Sequence, residues 1–205
     1  MQFFSFALTA LTIGSAIAVP TTTTTTTNVT TVTVQDACTS VQTCKTAVST
    51  QLTSLDKVVS GEVVGGDIIP LVESCVDSIV GDVKGLVGDV IPLITGLVLP
   101  LVEGELSQVP DLLKAVLELV NSIKQEVESL LGAVVGDILT TVQKEVAIVL
   151  QTLSPLLDPI LDLVHNILAT ATGPVLQEIT TLEGELSSLL QGLLSPVEGL
   201  LSTLL

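Results

Sequence analysis

The sequence has no tryptophan, no tyrosine and no arginine, and its three phenylalanines, Phe3, Phe4 and Phe6, all fall at the very start. Beyond residue 6 no phenyl, phenol or indole ring is available to stack on a base or a sugar. Positive charge is scarce too. Lys45, Lys57, Lys84, Lys114, Lys124 and Lys144 are the only cations against 22 acidic residues, for a net charge of −16. A chain so acidic has no electrostatic footprint for phosphates, so nucleic acid is excluded as a partner, and anionic membranes repel it. Chemistry-bearing side chains are equally rare. There is one histidine, one methionine and three cysteines, and no Cys/His spacing suits a metal. No Gly-x-Ser-x-Gly elbow supports a serine nucleophile. His165 follows Asp158 and Asp162 by seven and three residues, at the edge of an apolar stripe, and reads as a helix-edge histidine beside a capping carboxylate. An enzyme is not expected, and neither a cofactor nor a metal.

What the chain does have is aliphatic surface. Hydrophobic residues make up 47% of it. An apolar run from Phe3 to Ile13, followed by Ala16-Ile17-Ala18, has the small-x-small form that signal peptidase cuts, so residues 1–18 read as a signal peptide and the mature chain as starting at Val19. The run is shorter than the ~20 apolar residues of a spanning helix. Residues 19–35 form a Thr-rich arm containing the seven-threonine run Thr21–Thr27 and the sequon Asn28-Val29-Thr30. Asn28 is the candidate N-glycosylation site, and the threonines suit O-linked sugars, through which a cell-wall polysaccharide is a possible contact. The arm has too little apolar surface to offset the entropy of ordering and is expected to be disordered.

Residues 36–205 carry apolar side chains every three or four positions, the period of an amphipathic helix. The phrase Gly66-Asp67-Ile68-Ile69-Pro70 returns 22 residues later as Gly88-Asp89-Val90-Ile91-Pro92, and Pro110-Asp111 falls one step further on. Asp before an aliphatic pair and a proline marks a helix start. Asp158-Pro159 and the capping-box phrase Ser195-Pro196-Val197-Glu198 read the same way, and Gly132 and Gly173-Pro174 read as stops. The stripe is best defined through Leu113, Val116, Leu117, Val120, Ile123, Val127, Leu130 and Leu131. Lys114–Glu118 and Lys124–Glu128 lie four apart as helix pairs on its opposite face. A further helix is expected from Val135 through Ile138, Leu139, Val142, Val146 and Leu150 to about Leu153. Outside the leader and the arm, the longest uncharged span, Leu163–Gln177, is interrupted by His165, Asn166 and Pro174, and no transmembrane helix is expected. The fold class is therefore all-α: one domain, a bundle of short amphipathic helices punctuated by Pro and Gly, after a disordered Thr-rich arm.

Three cysteines in an oxidising compartment imply one disulfide and one odd thiol. Cys38 and Cys44 lie six residues apart on one helix, about 120° round its axis and ~9 Å along it, which disfavours a bridge. A Cys44–Cys75 staple across a helical hairpin is the preferred pairing. Cys38–Cys75, or a local Cys38–Cys44 loop if the helix starts later, are the alternatives.

The leader, the Thr-rich arm, the Leu/Val-rich helices and the Cys44-Lys45 and Cys75-Val76-Asp77 elements resemble small secreted proteins of filamentous fungi. Over residues 36–205 the chain is similar to fungal hydrophobic-surface-binding and cell-wall mannoproteins. That resemblance implies a helical domain that binds apolar surfaces or lipids, and it carries over no individual residue. The 22-residue spacing also looks like exchangeable apolipoproteins, but the basic and aromatic residues usual at their lipid interface are missing. The expected function is a secreted, non-enzymatic helical protein associating with apolar surfaces or lipids. A structural glycoprotein of a cell wall or extracellular matrix is the alternative.

Overall fold

The computed structural model describes residues 33–204. The leader with its cleavage point after Ala18, the threonine run and Asn28 lie outside these residues. Among the described residues the only regular structure is helical. Five long helices, α1 (Val34–Val59), α2 (Ile68–Gly96), α4 (Val109–Ala133), α5 (Asp137–Thr170) and α6 (Val175–Leu204), are joined by short connections. A 3-10 turn, Gly65–Asp67, precedes α2, and a four-residue helix α3, Glu103–Leu106, lies between α2 and α4.

Local chemistry sets the helix ends. The backbone N–H of Asp36 donates to Thr33 Oγ1 at 3.3 Å, while the Asp36 carboxylate accepts from the Thr33 N–H at 3.0 Å and its hydroxyl at 2.7 Å. This capping box starts α1 at Val34, two residues ahead of the expected boundary, and the Thr33 bonds hold the Asp36 carboxyl below its ordinary pKa. After α1 the chain turns through Gly61 at φ +77°, a left-handed conformation that any side chain would strain. Pro110 sits in the first turn of α4, where a missing N–H costs nothing. Gly136 caps α5 with φ +66°.

The interior prolines do not break the chain into short helices, as the sequence reading expected. Pro92 lies inside α2, and Pro155 and Pro159 lie inside a continuous α5. Helix α6 likewise runs through Ser195-Pro196. Each proline in α2 and α5 removes the hydrogen bond to the carbonyl four residues earlier, which belongs to Gly88, Gln151 or Pro155. All three of those residues are exposed, and Pro92 and Pro155 are exposed themselves. At exposed positions water can satisfy a freed carbonyl, so the lost bonds do not end α2 or α5. Because it runs through both prolines, α5 becomes the one helix among the described residues long and apolar enough to cross a membrane. Half of its most apolar stretch is buried inside the bundle. Val135, expected on its apolar stripe, instead precedes the helix and is exposed.

α1 packs on α2 and α4, α2 on α5, and α6 on α5 and α4, closing a ring, with further contact between α4 and α5. Cross-helix contacts fix the directions. Cys38 meets Gln108 and Lys45 meets Glu118, so α1 and α4 run parallel. Lys114 meets Glu178 at 2.7 Å, and the Lys124 ammonium lies beside Gly192, so α4 and α6 also run parallel. α2 and α5 run the opposite way, Cys44 lying across from Asp82 and His165 across from Glu183. Of the two pairs expected within α4, Lys124–Glu128 forms at 3.8 Å. Lys114 and Glu118 each turn to a neighbouring helix instead, because α4 is flanked by parallel partners whose acids and lysines stand level with it.

Apart from Cys38, Cys44 and Cys75 the described interior is aliphatic. Leu112, Leu113, Val116, Val120, Ile123 and Leu130 of α4 meet Val146, Leu153, Leu157 and Ile160 of α5 and their counterparts in α1, α2 and α6 in one continuous core. Among the described residues no polar or charged residue is buried. Each large aliphatic taken fully out of water contributes ~1.5–3 kcal/mol.

Candidate functional site

Cys38, Cys44 and Cys75 are all buried and all free. The Cys44–Cys75 staple does not form, and the helix register gives the reason. Cys44 Sγ lies 3.6 Å from the Asp82 carbonyl oxygen. Cys75 lies two turns earlier on α2, about 10 Å along the axis from that point, whereas a disulfide needs its Cα atoms within about 7 Å. Cys38 faces away, with its Sγ 4.0 Å from the Gln108 carbonyl oxygen of α4. Hydrophobic-stripe spacing had placed Cys44 and Cys75 correctly in the core but carries no information on how far one helix slides along the other. Burial raises all three thiol pKa values. Cys44, with the Asp82 carboxylate adding to burial, is pushed to about 11. Such thiols are poor nucleophiles.

Among the described residues the ionisable groups gather into no catalytic constellation. His165 is exposed and pairs at 3.1 Å with Glu183 on α6, not with Asp158 or Asp162. Glu126, half-buried on α4, has its pKa raised by burial and then by Asp56 on α1, and its Oε1 is buried without a partner. Glu145 on α5 is raised by burial and by Glu73 and Asp77 on α2. Among the described residues no group of His, Cys, Asp and Glu is placed to hold a metal ion.

One end of the bundle differs from the rest. There the α2–α4 connection and the α5–α6 connection meet around a cleft of about 440 Å³. Pro100, Leu101, Leu106, Ala171, Pro174 and Val175 supply its apolar lining, and Glu103 and Ser107 stand at its polar side. Val98 and Val102, beside Pro100, are 82% and 66% exposed. Sequence periodicity could not have found this cleft, since its residues lie in connections with no helical stripe. A second groove of about 320 Å³ follows the α1–α2 seam past Thr43, Gly81 and Gly85. It carries Asp82 and Asp89 and is more exposed and more polar in character.

No protein-family model, curated protein or solved structure matches the chain.

Proposed function

We propose that this chain is a secreted, non-enzymatic helical protein that associates with hydrophobic surfaces or lipids. The observation that carries the reading is the core. Among the described residues it is aliphatic apart from three buried thiols, has no disulfide to hold it shut, and lies under an acidic shell. Aliphatic cores without large rigid rings specify packing weakly. The helices are therefore free to exchange core contacts for an oil phase at little net cost. Apolar area then stays out of water at ~25 cal/mol per Å² while the acidic faces remain wet. The cross-helix ion pairs are largely exposed and contribute little resistance to opening. The other reading, a structural glycoprotein of a wall or matrix, draws on the threonine arm and Asn28.

Pendant-drop tensiometry tests the proposal. The purified protein is expected to lower oil–water tension more than an acidic globular control, and to do so undiminished in moderate salt, since screening weakens charge-driven adsorption and not hydrophobic adsorption. Surface activity no greater than the control's would overturn the reading and favour the structural one.

A further inference from the structure

The two longest uncharged stretches among the described residues are 90–102 and 163–177, with His165 the only ionisable group in either. They are separated by some sixty residues of charged helix, yet both run into the same end of the bundle and together line most of the 440 Å³ cleft. This volume lies within the ~300–1,000 Å³ of small-molecule sites.

We propose that this cleft binds the aliphatic chain of a neutral single-chain lipid, such as a long-chain alcohol or a monoacylglycerol. The inference rests on the affinity for apolar phases proposed above and gives it a place and a ligand class. Electrostatics selects the class. A second copy of the chain would bring another net charge of −16 to the end of the first. An anionic lipid meets the same field and the Glu103 carboxylate at the cleft. A cationic partner is drawn to the helix faces, which carry most of the 22 acidic residues, rather than to a cleft lined by the single carboxylate of Glu103. What remains is an uncharged molecule with an apolar body. The polar side of the cleft suits a hydroxyl head group: the Glu103 carboxylate accepts a hydrogen bond, and the Ser107 hydroxyl, which donates to the Gly104 carbonyl at 2.8 Å, keeps its lone pairs free to accept another. Leu101 and Leu106, both nearly buried, form the floor against which methylenes pack.

Isothermal titration of the full secreted chain with 1-decanol and with decanoate, at pH 8 and low salt, tests this. One decanol per chain is expected, with decanoate at least tenfold weaker and the gap narrowing as salt is raised. Ala171→Phe, which fills the cleft, is expected to abolish decanol binding. As a check against repacking, the double variant Val98→Asp/Val102→Asp, at two exposed positions, is measured beside it and is expected to weaken decanol at least tenfold with unchanged helical circular dichroism. Decanol binding that survives in folded variants, a stoichiometry well above one, or equal affinity for decanoate overturns the proposal. So does a wild-type dimer that the double variant dissociates, which would make a second copy the occupant. If wild type lowers oil–water tension but binds no decanol, the cleft assignment falls and the surface-binding function stands. If it binds decanol and leaves tension unchanged, the reverse holds.

Discussion

Replacing Glu126 by Gln should stabilise the bundle at neutral pH and do nothing at pH 4. Glu126 faces α1 from the middle of α4, where one carboxylate oxygen is buried without a hydrogen-bond partner and Asp56 lies close enough to repel it. Both effects raise its pKa in the folded chain, burial being the larger. A group raised in this way stabilises the fold when protonated, below its unfolded pKa, and that contribution is lost as pH climbs through the folded pKa. At pH 7 the charge is therefore a cost. An unpaired buried acceptor costs about 1–3 kcal/mol, and since the rest of the side chain is only half-buried the lower end applies, about 1 kcal/mol. Glutamine keeps the shape, removes the charge and brings an NH2 group that can donate to Asp56. For a domain of this size 1 kcal/mol corresponds to about 2–4 °C in Tm. Melts followed by circular dichroism at pH 7 and pH 4 provide the assay. A variant no more stable than wild type at pH 7, or one whose advantage persists at pH 4, refutes the reasoning.

The thiols should resist alkylation in the folded protein: with Cys44 pushed to about 11, about one molecule in a thousand carries its thiolate at pH 8. Reaction should accelerate when an oil phase or denaturant opens the bundle, and mass spectrometry after a timed iodoacetamide pulse measures it. As pH rises from about 9 toward the Cys44 value, the unfolded thiols ionise first, so stability should fall in that window. Pro155→Ala should raise Tm, because the restored N–H regains the Gln151 carbonyl; the gain is bounded by the ~3 kcal/mol cost of an interior proline. Leu113→Ala, at a fully buried position of α4, should cost about 2–5 kcal/mol in denaturant unfolding.

Sequence periodicity was enough to locate α4 almost to the residue, because Pro110 at its start, Gly132 near its end and eight aliphatics on one face all agree. It was enough to place Cys44 and Cys75 in the core. It failed where the answer depended on a second helix. The pairing of Cys44 depends on how α1 and α2 slide past one another, and the partners of Lys114 and Glu118 depend on α1 and α6 flanking α4 in parallel. The prolines misled for a different reason. The Asp-x-x-Pro phrase reads identically at a true start, Asp67 to Pro70, and inside a helix, Asp89 to Pro92. What separates the two is whether the preceding chain already has a helical face to continue, and whether the freed carbonyl reaches water. The cleft was hidden because its two halves, Pro100 to Ser107 and Thr170 to Val175, lie far apart in the chain.

The mismatch of three helices in one direction against two in the other has a consequence for the molecule as a whole. α1, α4 and α6 all begin at the end bearing the cleft, and α2 and α5 both finish there. Each helix carries a dipole equivalent to about half an elementary charge at either terminus, positive where it begins. Four of the five cancel in opposed sets and one does not. The backbone thus contributes a built-in polarity, positive at the cleft end, where Asp36, Asp111 and Glu178 in the first turns of α1, α4 and α6 stand against it, and negative at the other. A monolayer of such molecules standing the same way up would carry an electrical potential difference across its thickness, readable with a vibrating-plate electrode held above the film.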